Sequence, residues 1–110
     1  MQDHSSQLLK GVLDMCLLAL VAERPTYGYE IARTLEERGL HLASEGSIYP
    51  LLSRLQRQGL VEGYLVESAG GPARKYYRLA ATGETTLSEW ISDWHALSNG
   101  VNGVINGGAS

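Results

Sequence analysis

Phenylalanine is absent from this 110-residue chain, cysteine occurs once, and proline and histidine occur three times each. One cysteine permits no internal disulfide, which excludes the stapled secreted scaffolds and suits a reducing compartment, the cytoplasm. His4, His41 and His95 share no metal-ligand spacing, so no metal site is expected. Cys16 lies in an apolar stretch and reads as a small hydrophobic filler. No Walker loop and no GxGxxG run occurs, and no Ser, His and Asp are placed to suggest a triad. No cofactor and no enzymatic activity are expected. Long apolar runs are missing too: the longest, Val12 to Ala22, is interrupted by Asp14 and falls short of the ~20 residues that span a bilayer. The polar start MQDHSSQ lacks the basic region of a signal peptide, so no membrane partner is expected.

What is present fits one folded domain. Hydrophobic residues make up 44% of the chain, enough for a core. Nine basic against twelve acidic groups leave a net charge of −3, unevenly distributed. Arg54, Arg57, Arg74, Lys75 and Arg78 face only Glu62 and Glu67 within residues 54–78, while both flanking segments are acidic. A basic segment in an acidic chain marks either a local anion-binding face or the ordinary fluctuation of a short window.

Hydrophobic periodicity divides the chain into four helices and a hairpin. Residues 8–22 are apolar around nearly the whole helical wheel and stop at Arg24-Pro25. Thr26 is the expected N-cap of a second helix, 27–38, with Tyr27, Ile31 and Leu35 on one face and Gly39 at its end. A third helix, 45–58, follows, with Ser44 or Ser47 as cap. Ile48, Leu51, Leu52 and Leu55 line its inner face; Gly46, Pro50, Ser53, Arg54 and Arg57 lie opposite. Segments 61–67 and 74–80 are rich in β-branched and aromatic residues and read as strands around a six-residue loop, SAGGPA. Thr82 then caps a last helix carrying Leu87, Trp90, Ile91, Trp94 and Leu97 on one side. The fold class is therefore mainly α with a β-hairpin wing: a winged helix-turn-helix plus a C-terminal dimerisation helix. The expected divisions are a DNA-binding winged-helix domain at 1–80, the dimerisation helix at 81–98 and a flexible Asn/Gly-rich tail at 99–110. Val101, Val104 and Ile105 would extend the apolar stripe into that tail.

In a helix-turn-helix pair the second helix enters the DNA major groove. The outer face of 45–58 is small enough to approach a duplex and carries cations for phosphates or guanines. The hairpin adds Arg74 and Lys75 just after a glycine-rich tip, suited to a narrow groove. The candidate DNA contacts are Tyr27, Ser47, Tyr49, Ser53, Arg54, Arg57, Arg74 and Lys75. Tyr27 and Tyr49 either donate to phosphates or pack between helices two and three. Either Arg54 or Arg57 reads bases.

The segments YGYEIARTLEERG (27–39), SEGSIYPLLSRLQRQGLVE (44–62) and GGPARKYYRLAATGETTL (70–87) resemble the PadR family of bacterial transcriptional regulators, over roughly residues 8–97. The resemblance implies a winged helix with a C-terminal dimerisation element, in the shorter subfamily, and ligand-responsive repression. Two departures stand out. Gly70-Gly71-Pro72-Ala73 lacks a basic residue usual in the family, which implies weaker wing contacts, and the Asn/Gly tail replaces a charged one. Leu87, Ile91, Trp94 and Leu97 recur near heptad spacing and form the expected dimer interface. Trp90 and Trp94 either fill the core or that seam, or form a ligand site. In the second reading Trp94 faces its symmetry mate across an apolar slot for a small planar aromatic inducer. Members of the short subfamily carry a tryptophan at this position. The expected protein is a ligand-responsive, sequence-specific repressor, bound as a homodimer to a pseudo-palindromic double-stranded DNA operator. Two rivals remain: a winged-helix protein-interaction module that does not bind DNA, mildly favoured by the net charge, and a small-ligand carrier built on the dimer pocket.

Overall fold

The computed structural model describes residues 4–41 and 45–107. Helix α1, His4–Glu23, starts earlier than its apolar run predicts. By length and composition alone it would also cross a bilayer, with a mean hydropathy of 1.5 in its most apolar window. Here it is the central core helix: Leu13, Leu17, Leu18, Leu20 and Val21 are buried. Its remaining turns are not enclosed on all sides, and Leu8 is exposed. Cys16 packs half-buried against the core, and desolvation pushes its thiol up and keeps it protonated.

After Pro25 the chain does not enter a helix capped by Thr26. Thr26 and Tyr27 form a short strand, β1, opposite Tyr77 and Tyr76. Ladder pairing occupies the buried Thr26, and Tyr27, extended at φ −131°, becomes the cap position of α2, Gly28–Glu37, without a side-chain cap bond. The wing is therefore a three-stranded antiparallel sheet of order β1-β3-β2.

The third helix is split. Residues Glu45–Ser47 make a 3-10 turn, and α3 runs Tyr49–Arg57 with Ile48 at the cap position. Ser47 is thus not the α-helical cap, and Ser44 lies outside the described residues. Pro50 explains the split: it has no N–H to bond back to Gly46, so the tighter Ile48 N to Glu45 O bond (3.2 Å) forms, and the α ladder resumes at Leu52 N to Ile48 O (2.9 Å). Ile48, Leu52 and Leu55 are fully buried, as their spacing predicts, while Leu51 is half-buried. Gly59, at φ +77°, ends the helix in the left-handed region and lets Leu60 N reach Leu55 O at 3.0 Å.

Strands β2, Val61–Ser68, and β3, Gly71–Leu79, are longer than expected and meet at Ala69-Gly70 instead of a six-residue loop. The ladder shifts between Val66–Arg74 and Ser68–Gly71, so Glu67 faces both Pro72 and Ala73. This bulge accommodates a proline that a regular ladder would reject. Ser68 closes the turn by donating to the Pro72 carbonyl at 2.7 Å.

Helix α4, Ala81–Ile105, packs beside α1. Thr82 does not cap it; its hydroxyl donates to the Gly59 carbonyl at 2.6 Å and pins α4 to the end of α3. The helix continues past 98, the boundary set for the tail, because Val101, Val104 and Ile105 prolong the stripe of Trp94 and Leu97 at helical spacing.

Candidate nucleic-acid interface

The outward side of α3 presents Ser47, Tyr49, Pro50, Ser53 and Arg57, all exposed. They are exposed because Ile48, Leu52 and Leu55 anchor the other side in the core. Tyr49 lies across the start of α2. A Cβ on Gly28 would come within 2.4 Å of the Tyr49 ring, so only glycine admits that ring. The Tyr49 hydroxyl donates to Glu45 Oε1 at 3.0 Å. Desolvation, then the hydrogen bond and charge of Glu45, push the phenol above its ordinary range, so it stays a neutral donor at pH 7.

The base of the wing joins this surface. Arg74 donates to the Tyr27 hydroxyl at 3.0 Å, and its guanidinium lies 4.8 Å from that ring's centroid. The Lys75 ammonium stands 5.5 Å from the centroid of Tyr77, whose phenol burial raises. An open groove of about 500 Å³ runs between the two elements, walled by Tyr27, Gly28, Tyr29, Tyr49, Arg74, Lys75 and Tyr77. On the same strand face as Arg74, Tyr76 lies between Tyr27 and Tyr64 at centroid distances of 5.0 and 6.1 Å. Arg78 covers Tyr64 and pairs with Glu62. Arg78 is thereby committed within the wing, whereas Arg57 makes no ion pair among the described residues.

Arg54, also expected from the sequence as a DNA contact, has a partner within the subunit. It is exposed, yet its Nη2 donates to Asp14 Oδ2 on α1 at 2.5 Å. A wheel drawn on α3 alone puts Arg54 with Arg57, but the neighbouring helix supplies a carboxylate for one of them.

A second groove, about 270 Å³, lies between α1 and α4, bordered by Gly11, Val12, Asp14, Met15, Trp90, Asp93, Trp94 and Leu97. Both tryptophans line it within one subunit. Trp90 also packs against the core, while Trp94 is 41% exposed. Of the residues assigned to a dimer seam, Leu87 is half-buried against the subunit's own core, and Ile91, Trp94 and Leu97 are exposed.

The profile described as the transcriptional regulator PadR-like family matches residues 17–89. This chain belongs to that family. The crystal structure of a PadR-like transcriptional regulator from Bacillus cereus is similar at 43% identity and a TM-score of 0.80, covering 90% of this chain and 96% of that one. A PadR-family regulator from Eggerthella lenta is similar at 34% identity and a TM-score of 0.81, covering 90% and 86%. A Lysinibacillus sphaericus protein named Uncharacterized protein X is 33% identical over 91 residues, 81% of this chain and 84% of that protein. The architecture is accordingly the winged helix of PadR-like transcriptional regulators, the class to which the Bacillus cereus and Eggerthella lenta structures are assigned.

In this PadR-like chain the family match ends just before Trp90, so the two-tryptophan groove falls beyond it. Sequence reasoning missed Gly28 and Tyr29, which line the groove between α3 and the wing, Glu45, which accepts from the Tyr49 hydroxyl, and Asp14 at the other groove. Gly28 carried a signal, since a glycine between two tyrosines at a helix start marks a close approach. Asp14 carried none: an acid inside an apolar helix reads as a tolerated defect until its partner is known.

Proposed function

We propose that this regulator is a cytoplasmic, sequence-specific repressor that binds duplex DNA as a homodimer and responds to a ligand. The observation that carries DNA binding is the groove joining the start of α3 to the wing base, walled by Tyr27, Tyr49, Arg74 and Lys75. Cations and phenols along such a groove suit a phosphate backbone. Each subunit sets 45–58 in a major groove, with Ser47, Ser53 and Arg57 toward base edges and Arg74 and Lys75 toward the flanking minor groove. Two subunits engage half-sites about one helical turn apart on a pseudo-palindrome. If the dimer contacts about six phosphates, log K falls with log salt at a slope near −5. Gel-shift titrations measure it, and Arg57→Ala reduces the slope by about two, one for each subunit, if Arg57 holds a phosphate, or relaxes one base preference in each half-site if it reads a base. No duplex binding at low salt would leave the protein-interaction reading in its place.

Homodimerisation is supported by α4, where Ile91, Trp94, Leu97, Val101, Val104 and Ile105 are exposed on one helix. Ligand response is supported by the α1–α4 groove. Two indole rings and the carboxylates of Asp14 and Asp93 suit a planar aromatic cation. Such compounds quench tryptophan fluorescence, and Trp94→Ala removes most of the affinity, since stacked contacts contribute ~0.5–1.5 kcal/mol each. Undiminished binding to the alanine variant reduces Trp94 to packing.

A further inference from the structure

Asp14 belongs to two places at once. It borders the α1–α4 groove, and its Oδ2 accepts the hydrogen bond from Arg54, forty positions along the chain on α3. Its side chain keeps 28% of its exposure, so the carboxylate is reachable beside the bond it already makes. Arg54 has no other ion-pair partner among the described residues, and its own side chain is 45% exposed, so losing Asp14 strands no buried charge. Among the described residues this is the one ion pair between α3, the helix expected to enter the major groove, and α1, which walls the ligand groove.

We propose that Arg54 and an organic cation in the groove compete for the Asp14 carboxylate, so that ligand occupancy loosens the tie between the recognition helix and α1. The proposal rests on the ligand-site reading above and names its regulatory link. One carboxylate neutralises one cation well. A second cation beside it gains less attraction and repels the guanidinium already there. Each cation therefore weakens the other's hold by the same factor, as linkage requires. A neutral ligand of the same shape stacks on the tryptophans but leaves Arg54 where it is.

The test uses the full chain without DNA and two probes of matched shape, N-methylquinolinium and methylnaphthalene, measured by equilibrium dialysis. In the wild type the cation binds more tightly than the hydrocarbon. Arg54→Gln tightens the cation about fivefold, the low end of ordinary coupling, and leaves the hydrocarbon's affinity as it was. Asp14→Asn reduces the cation's advantage to what Asp93 and the indole rings supply, and adding Arg54→Gln to it produces no further tightening. Circular dichroism confirms that both variants are folded. If Arg54→Gln leaves the cation's affinity alone, or moves both probes equally, competition for Asp14 is wrong although the ligand site stands. If neither probe binds any variant, the ligand-site reading fails and the competition falls with it.

Discussion

Gly28 and Tyr49 meet at the junction of α2 and α3, where the absence of one methyl group decides where a phenol sits. The atoms a Gly28 Cβ would strike are the far end of the Tyr49 ring, which is 44% exposed and has solvent to swing into. Gly28→Ala should therefore change stability by no more than about 1 kcal/mol, the helix-propensity gain of alanine offsetting part of the strain. Duplex binding should weaken about 25-fold, the loss of roughly one hydrogen bond in each of two subunits, because the displaced hydroxyl leaves the groove. Thermal unfolding and a duplex titration separate the two effects. Unchanged DNA affinity would make the seat of Tyr49 a packing contact only.

At the scale of elements, α4 is held at one end and bare at the other. Near its start, Ala80 N donates to the Leu60 carbonyl at 3.0 Å, and Thr82 donates to Gly59. A Cβ on Gly83 would stand 2.1 Å from the Leu60 carbonyl oxygen, which these bonds keep from moving aside. Gly83→Ala should cost about 1–3 kcal/mol or more, like other overpacked sites. Near the far end, nothing lies within 4 Å of a Cβ at Gly100. Gly100→Ala should raise stability by about 0.5–1 kcal/mol, the usual cost of helical glycine. Denaturant melts of the two variants should thus move in opposite directions. A destabilised Gly100→Ala would mean that a second helix crosses there.

The whole molecule measures 58 × 33 × 22 Å, too elongated for a core of this size to cover. Leu97, Val104 and Ile105 keep 63%, 82% and 72% of their surface exposed on α4, and Leu8 keeps 62% on α1. Among the described residues of one subunit nothing covers them, so the wild type should sediment as a dimer at micromolar concentration. Ile91→Asp should make it monomeric, because a carboxylate in an apolar seam is costly to desolvate. Ile91 is the better probe than Leu87, which packs against its own subunit's core, so that a charge there would damage the fold instead. A monomeric wild type would remove the dimer from the proposed function.

The helix order, the buried face of Ile48, Leu52 and Leu55, and the stop at Gly59 were all legible in the chain. Periodicity and backbone freedom act within a turn or two, and their signals lie side by side in the sequence. Thr26 was misread because its strand partner, Tyr77, lies on the opposite side of two helices and a hairpin; a cap is local, a ladder is not. The split before α3 was half legible: Pro50 announced it, but only the packed Ile48 located it. The stripe through Val101, Val104 and Ile105 was visible, yet whether it would outweigh the Asn and Gly around it was not, since propensity yields to context. Arg54 shows the limit most directly. Its helix fixed which way it faces, but the carboxylate it meets stands on α1, and only the packing of α3 beside α1 brought the two together.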